Sequence, residues 1–299
     1  MSQVIWDGLF VGSFYALVAL GYSMVYGVIK LLNFAHGDIY MIGAFVAYFI
    51  LGSLVGAPTG ISLAILLAVM IATMAITGTM GVVIERIAYR PLRGGPRLTV
   101  LITAVGVSFT LEYAVSFFIS ADPKVFPAQF QLTGQAMSVL GARVTVPQLV
   151  LMAVAAVLMI LLQRYVMHSR DGRAMRAVAL DPQATKLMGV NVDAIISRTF
   201  FIGSALAGAA GVMAGAYYGK IDFLMGFILG LKAFTAAVIG GIGSLYGAML
   251  GGLVLGLLES FATWQLGGMW RDVVAFAILI LFLSFKPTGI LGGRVVERM

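Results

Sequence analysis

The sequence predicts an all-α protein, a polytopic transmembrane helical bundle of about eight to nine membrane segments with one or two broken or re-entrant helices. Two observations carry this. Residues are 61% hydrophobic and only 10% charged, against roughly 45–50% and about 25% in soluble domains. The apolar residues also gather in runs near the ~20 residues that a helix needs to cross the hydrocarbon.

In chain order the runs are Val4–Ile29, Ile39–Val55, Ile61–Ile84, Leu98–Ile119, Pro147–Val166, Ala194–Tyr218, Gly241–Ala262 and Val273–Phe285. A ninth, Phe223–Gly240, is interrupted by Gly226, Gly230 and Lys232 and reads as a short crossing or a re-entrant half-helix. The N-terminal run is too long for a secretory signal peptide and lacks a basic leader, so it is expected to be retained.

Lysine and arginine sit between the runs, which is a topology signal. The segments Glu85–Arg97 and Arg164–Arg198 and the tail with Lys286, Arg294 and Arg298 are basic, whereas 51–60 is uncharged and 120–146 holds only Asp122, Lys124 and Arg143. The basic segments are expected in the cytoplasm, the N-terminus outside and the C-terminus inside. That arrangement requires an odd number of crossings, so Phe223–Gly240 is expected to cross. One domain, 1–299, follows, with an outer connection at about 120–146 forming a small cap and a cytoplasmic loop at about 167–193. The net charge of +7 does not lie on an amphipathic face, so no nucleic-acid partner is expected.

Small residues recur every fourth position at Gly203, Ala207, Gly211, Gly215 and Gly219, and again at Gly243, Gly247, Gly251 and at Ala248, Gly252, Gly256. Such faces let helix backbones approach in lipid. They fit packing inside the subunit, a dimer interface or a sliding surface.

Asn33-Phe-Ala-His36-Gly37-Asp38 clusters polar groups close to membrane depth, where they persist by lining a path or pairing. Asn33 or Asp38 acting as helix N-cap is the structural alternative. Gly240-Gly241-Ile242-Gly243-Ser244 breaks a later run comparably, so the two breaks, together with Tyr40 just after the first, form a candidate substrate pathway. Glu112, Lys232 and Glu259 are ionisable groups within or at the ends of apolar runs, and either serve transport or reach an interface or partner. In the inner connection, Gly172 permits a turn, Arg173–Leu180 and Pro182–Met188 have helical composition, and Gly189 suits a helix stop.

No phosphate-binding Gly-x-x-x-x-Gly-Lys-Ser/Thr, His-Glu-x-x-His or Gly-x-Ser-x-Gly motif occurs, and there is no cysteine. No catalytic residue, metal site or cofactor is therefore expected in this chain.

Residues Gly12–Leu17 with Gly21–Gly27, Asn33–Gly43 including Tyr40, Ala179–Ala184 through Gly189-Val-Asn, Lys232–Ser244, and Arg271-Asp272 with Lys286–Gly292 resemble the LivH-type permeases of bacterial branched-chain amino acid ABC importers. The likeness covers essentially the whole chain. It implies a heterodimer with a LivM-like second permease, two cytoplasmic ATPase subunits that bind ATP and Mg, a periplasmic substrate-binding protein, and an inner-membrane location with membrane lipid around it. It also implies that the cytoplasmic loop is the coupling helix, placing the Ala179-x-Asp181…Ala184…Gly189 pattern at the ATPase contact. On chemistry rather than on the resemblance, Asp181 with the nearby Arg173 and Arg176 is expected to supply polar contacts there. The alternative function is an ATPase-independent secondary transporter or channel for a small solute, with Asp38, Glu112, Lys232 or Glu259 carrying ion coupling. A membrane scaffold ranks last.

Overall fold

The structure, a computed structural model, describes residues 1–54, 62–131, 136–139, 141–286 and 288–292. Gly134, residues 55–61 and the tail arginines Arg294 and Arg298 lie outside them. The order is α1 (Ser2–Ile29), α2 (Ala35–Ser53), α3 (Ser62–Ile84), α4 (Arg97–Phe118), β1 (Lys124–Val125), β2 (Ala136–Val139), β3 (Ala142–Thr145), α5 (Val146–His168), α6 (Arg170–Leu180), α7 (Pro182–Leu187), α8 (Val192–Tyr218), β4 (Lys220–Ile221), α9 (Met225–Gly240), α10 (Leu245–Leu266) and α11 (Trp270–Phe285).

Among the described residues seven helices, α1 to α5, α8 and α10, are long and apolar enough to cross a membrane. The chain is thus a multi-pass helical membrane protein. Of the eight long runs, the last becomes the 16-residue α11, shorter than a full span; α9 also has 16 residues. Along its course α9 joins the two ends of the bundle: β4 before it pairs with β1, while Gly240 at its close packs on Gly247.

At one end lie the start of α1, the 120–145 connection and the start of α11. There Gln3 donates to the Arg143 carbonyl, and the Arg143 amide donates to Gln3 at 2.8 Å. A β2–β3 hairpin and the β1–β4 pair form a small cap at this end. At the other end lie the 30–34 loop, a π-helical turn Glu85–Tyr89 that prolongs α3, and α6–α7.

Helices α1 and α8 form the centre. Buried residues surround both, as a helix enclosed by other helices requires. Helices α4 and α5 expose side chains such as Phe117, Phe118, Ile160 and Leu161 and lie at the periphery.

The small-residue faces serve contacts inside the chain. A Cβ on Gly12 would meet Leu253 Cα at 2.9 Å, and Gly252 and Gly256 lie directly on the backbones of Ala16 and Gly12. Gly203 faces Gly21, Gly211 faces the Tyr40 carbonyl, and Gly43 faces Gly208. Gly219 ends α8 with φ 66°, a left-handed position suited to glycine.

Three local expectations are corrected. Neither Asn33 nor Asp38 caps α2. Phe34 holds the N-cap position without a side-chain bond, because Asn33 Oδ1 is already taken by the Tyr89 hydroxyl at 2.6 Å and Asp38 lies inside the first turn. Gly172 makes no turn. Helix α6 starts at Arg170, capped by Ser169, and places Gly172 against the Tyr165 and Val166 carbonyls, where no Cβ fits. The 241–262 run becomes helical only at Leu245, since Gly241 and Gly243 hold φ of 103° and 91° and Ser244 caps from outside at 3.1 Å.

Candidate functional site

Three polar regions interrupt the apolar bundle. The first is an ion network where α1, α9, α10 and α11 meet. Lys232, with a side chain only 6% exposed, pairs with Glu259 at 2.8 Å and Asp272 at 2.6 Å. Arg271 Nε reaches Glu259 at 2.8 Å. The Tyr15 hydroxyl donates to the same carboxylate at 2.7 Å and accepts from Arg271, which also donates to the Tyr218 hydroxyl at 2.9 Å. Isolated buried charges are costly, and Glu259 persists because two cations and a hydroxyl surround it.

This network walls a cavity of about 380 Å³. Tyr15, Tyr40 and Tyr218 supply hydroxyl-bearing rings, Lys220, Asp222, Lys232 and Arg271 supply charge, and Met225, Ile228 and Leu229 supply an apolar wall. Of the residues read from sequence as the substrate pathway, Tyr40 alone lines it. Tyr15→Phe should weaken the folded state by about 1.5–3 kcal/mol, the range for hydrogen bonds to charged groups. The thermal midpoint of the purified protein measures this.

The second region is the start of α2, where residues Ala35–Met41 are buried. Asp38 Oδ2 accepts from Ser108 on α4 at 2.5 Å, and Glu112 of α4 lies beside it. The His36 ring packs edge-on against Tyr22, 4.8 Å between centroids. Gly37 touches α9, where a Cβ would meet Gly230 Cα at 2.7 Å. Asn33, His36, Gly37 and Asp38 thus meet α1, α4, α9 and the Glu85–Tyr89 turn. The second break, with Gly240, Gly243 and Ser244, lies elsewhere. Gly243 faces Gly27 near the end of α1, while Gly37 meets α9 at Gly226 and Gly230 in its first turns. Ten residues along a helix separate Gly230 from Gly240, about 15 Å at the usual rise.

The third region is α6–α7 and its supports. Asp181 caps α7, accepting from the Gln183 and Ala184 amides at 2.9 and 3.0 Å, and Pro182 occupies its first position. Gly189, φ 82°, ends the segment. Arg173 and Arg176 fold back to the His168 and Val166 carbonyls at the close of α5. Ala179 is half-buried and Ala184 exposed. Leu180, Leu187 and Met188 stand 84–89% exposed. Beneath them, the fully buried Glu85 holds Arg93 and Arg90 and accepts from Ser197, while Arg93 also pairs with Asp193 at 2.7 Å. Burial lowers the Arg93 pKa from its ordinary value, and the Asp193 charge opposes that shift.

Sequence reading identified Lys232 and Glu259 but missed Tyr15, Tyr218, Lys220, Asp222 and Arg271 as partners around one cavity. The available signal was Arg271-Asp272, a charged pair opening the last apolar run.

No solved structure is a significant match. The chain is 46% identical to the high-affinity branched-chain amino acid transport system permease protein BraD of Pseudomonas aeruginosa, over 99% of this chain and 97% of that protein. It is 42% identical to the permease protein LivH of the corresponding Escherichia coli system, with the same coverage. It is 24% identical to a probable LivH of Methanocaldococcus jannaschii, over 92% of this chain and 88% of that one. The family described as branched-chain amino acid transport system, permease component, matches residues 4–283, and the chain belongs to it.

Proposed function

We propose that this chain is the membrane-spanning permease subunit of an ATP-binding-cassette importer for branched-chain or related amino acids. A periplasmic binding protein delivers the solute. A LivM-like second permease completes the membrane part, and two cytoplasmic ATPases bind ATP and Mg. The chain performs no catalysis itself. It resides in the bacterial inner membrane with its N-terminus periplasmic and its C-terminus cytoplasmic.

The observation that carries this reading is the α6–α7 pair. It projects Leu180, Leu187 and Met188 almost fully exposed, at the opposite end of the bundle from the cap. Apolar side chains in such a position fit burial against another protein. Closure of the ATPases on nucleotide would press on this pair and shift the bundle between outward and inward access.

Leu187→Glu with Met188→Glu tests it. Uptake and binding-protein-stimulated ATP hydrolysis should fall at least tenfold in the reconstituted transporter while the chain still inserts in the membrane. Unchanged coupling would sink the assignment. The buried Asp38–Glu112 pair favours the second reading, transport coupled to an ion without an ATPase. Ion-dependent flux by the purified chain alone would establish that reading, whereas co-purifying ATPases support the first.

A further inference from the structure

The cavity beside the ion network has the chemistry of a particular class of solute. Its wall carries the cations Lys220, Lys232 and Arg271. Against them stand Asp222 in the wall and Glu259 and Asp272, which pair with the cations behind it. The formal charges cancel. A balanced cavity holds no net attraction for an anion or a cation but offers partners of both signs to a solute that carries both.

The polar partners are unevenly committed. Arg271 uses Nε and Nη2 for Glu259, Tyr15 and Tyr218, and none of these bonds employs Nη1. Its side chain is 28% exposed, at the cavity wall. Asp222 accepts the Leu224 amide through Oδ1 at 3.0 Å, leaving Oδ2 outside that bond. Tyr40 lies within electrostatic reach of both groups. A guanidinium edge can donate to a carboxylate, and a carboxylate can accept from an ammonium. Met225, Ile228 and Leu229 on successive turns of α9 offer an aliphatic surface to whatever lies between. At about 380 Å³ the cavity falls at the low end of the ~300–1,000 Å³ usual for small-molecule sites.

We propose that this cavity is a binding site for a zwitterionic α-amino acid with an aliphatic side chain. Arg271 receives its carboxylate, Asp222 its ammonium, and Met225, Ile228 and Leu229 its side chain. Lys232, held by Glu259 and Asp272, positions Glu259 and through it the Arg271 guanidinium. The proposal rests on the reading of the chain as an amino-acid importer subunit and names the site that the reading leaves open.

The absence of cysteine from the chain supplies a direct test. Ile228 is 45% exposed and tolerates a smaller side chain without creating a buried void. Ile228→Cys places a single thiol in the cavity wall. The variant is assembled with its partner subunits in lipid nanodiscs without binding protein and treated with a water-soluble maleimide. Labelling of this chain is followed by mass.

Labelling should slow at least fivefold with millimolar leucine. It should not slow with 4-methylpentanoate, which lacks the amine, or with 3-methylbutylamine, which lacks the carboxylate. Asp222→Asn in the same background should remove the protection by leucine. Labelling that leucine leaves unchanged, protection equal for all three compounds, or a thiol that never labels would each overturn the site. Leucine uptake by the unmodified transporter is measured in parallel. If it is present while protection is absent, the site alone fails. If it is absent, the transport reading fails as well.

Discussion

Glu259→Gln should lower the stability of the folded chain by about 3–5 kcal/mol, the cost of removing one partner from a buried ion pair. Glu259 is 1% exposed and serves Lys232, Arg271 and Tyr15 at once. Without it Lys232 keeps Asp272, on the more exposed side of the network, and the face of the Tyr15 ring. The purified transporter in detergent should show a lower thermal midpoint, read by size-exclusion chromatography after heating. Adding Lys232→Met should recover part of the loss, because a buried ammonium stripped of its buried carboxylate partner is its main cause. A double variant no more stable than Glu259→Gln would argue that the tyrosine and arginine bonds, not Lys232, dominate.

The second large effect comes from Gly252→Leu. Gly252 lies against Ala16 so closely that a single Cβ would overlap the α1 backbone. Overpacking of a side chain costs about 1–3 kcal/mol when neighbours can shift, and more here because the opposing atoms are backbone. The outcome expected is loss of the chain from the membrane fraction, measured by immunoblot. Gly267→Leu is the control, since no atom lies within 4 Å of the site a Cβ would take, although its φ of 95° strains any side chain. It should reduce accumulation much less.

The helices were legible because length and apolarity are local properties of a run. Val4–Ile29 became Ser2–Ile29 and Ala194–Tyr218 became Val192–Tyr218, each extended by two residues at the start. Helix ends were harder to place. A glycine at positive φ delays a helix, as at Gly241 and Gly243, and a serine cap advances one, as Ser169 does at α6. The sequence was silent on partners. Asp38 meets Ser108, seventy positions away, and Tyr15 meets Glu259 across 244. Tertiary packing chooses such pairs, so Lys232 and Glu259 were visible as unusual residues but not as a couple. The two glycine-bearing breaks illustrate the converse, since similar local composition stands at separate places along α9. In the Ala179–Gly189 segment the first-position proline and the final glycine were legible because both are local devices, whereas the capping role of Asp181 came only with the structure.

The π-helical turn at Glu85–Tyr89 has a mechanical consequence. Tyr89 grips Asn33, in the loop from which α2 starts, and Glu85 grips Ser197, on the second turn of α8. Arg93, just beyond, is fastened to Asp193 in the first turn of α8. Four residues, 188–191, separate α8 from α7. The turn therefore acts as a tie-rod. A push on α7 that displaces the foot of α8 pulls through Glu85 and Tyr89 on the loop before α2, and so on the buried helix that carries Asp38 and, two residues later, Tyr40.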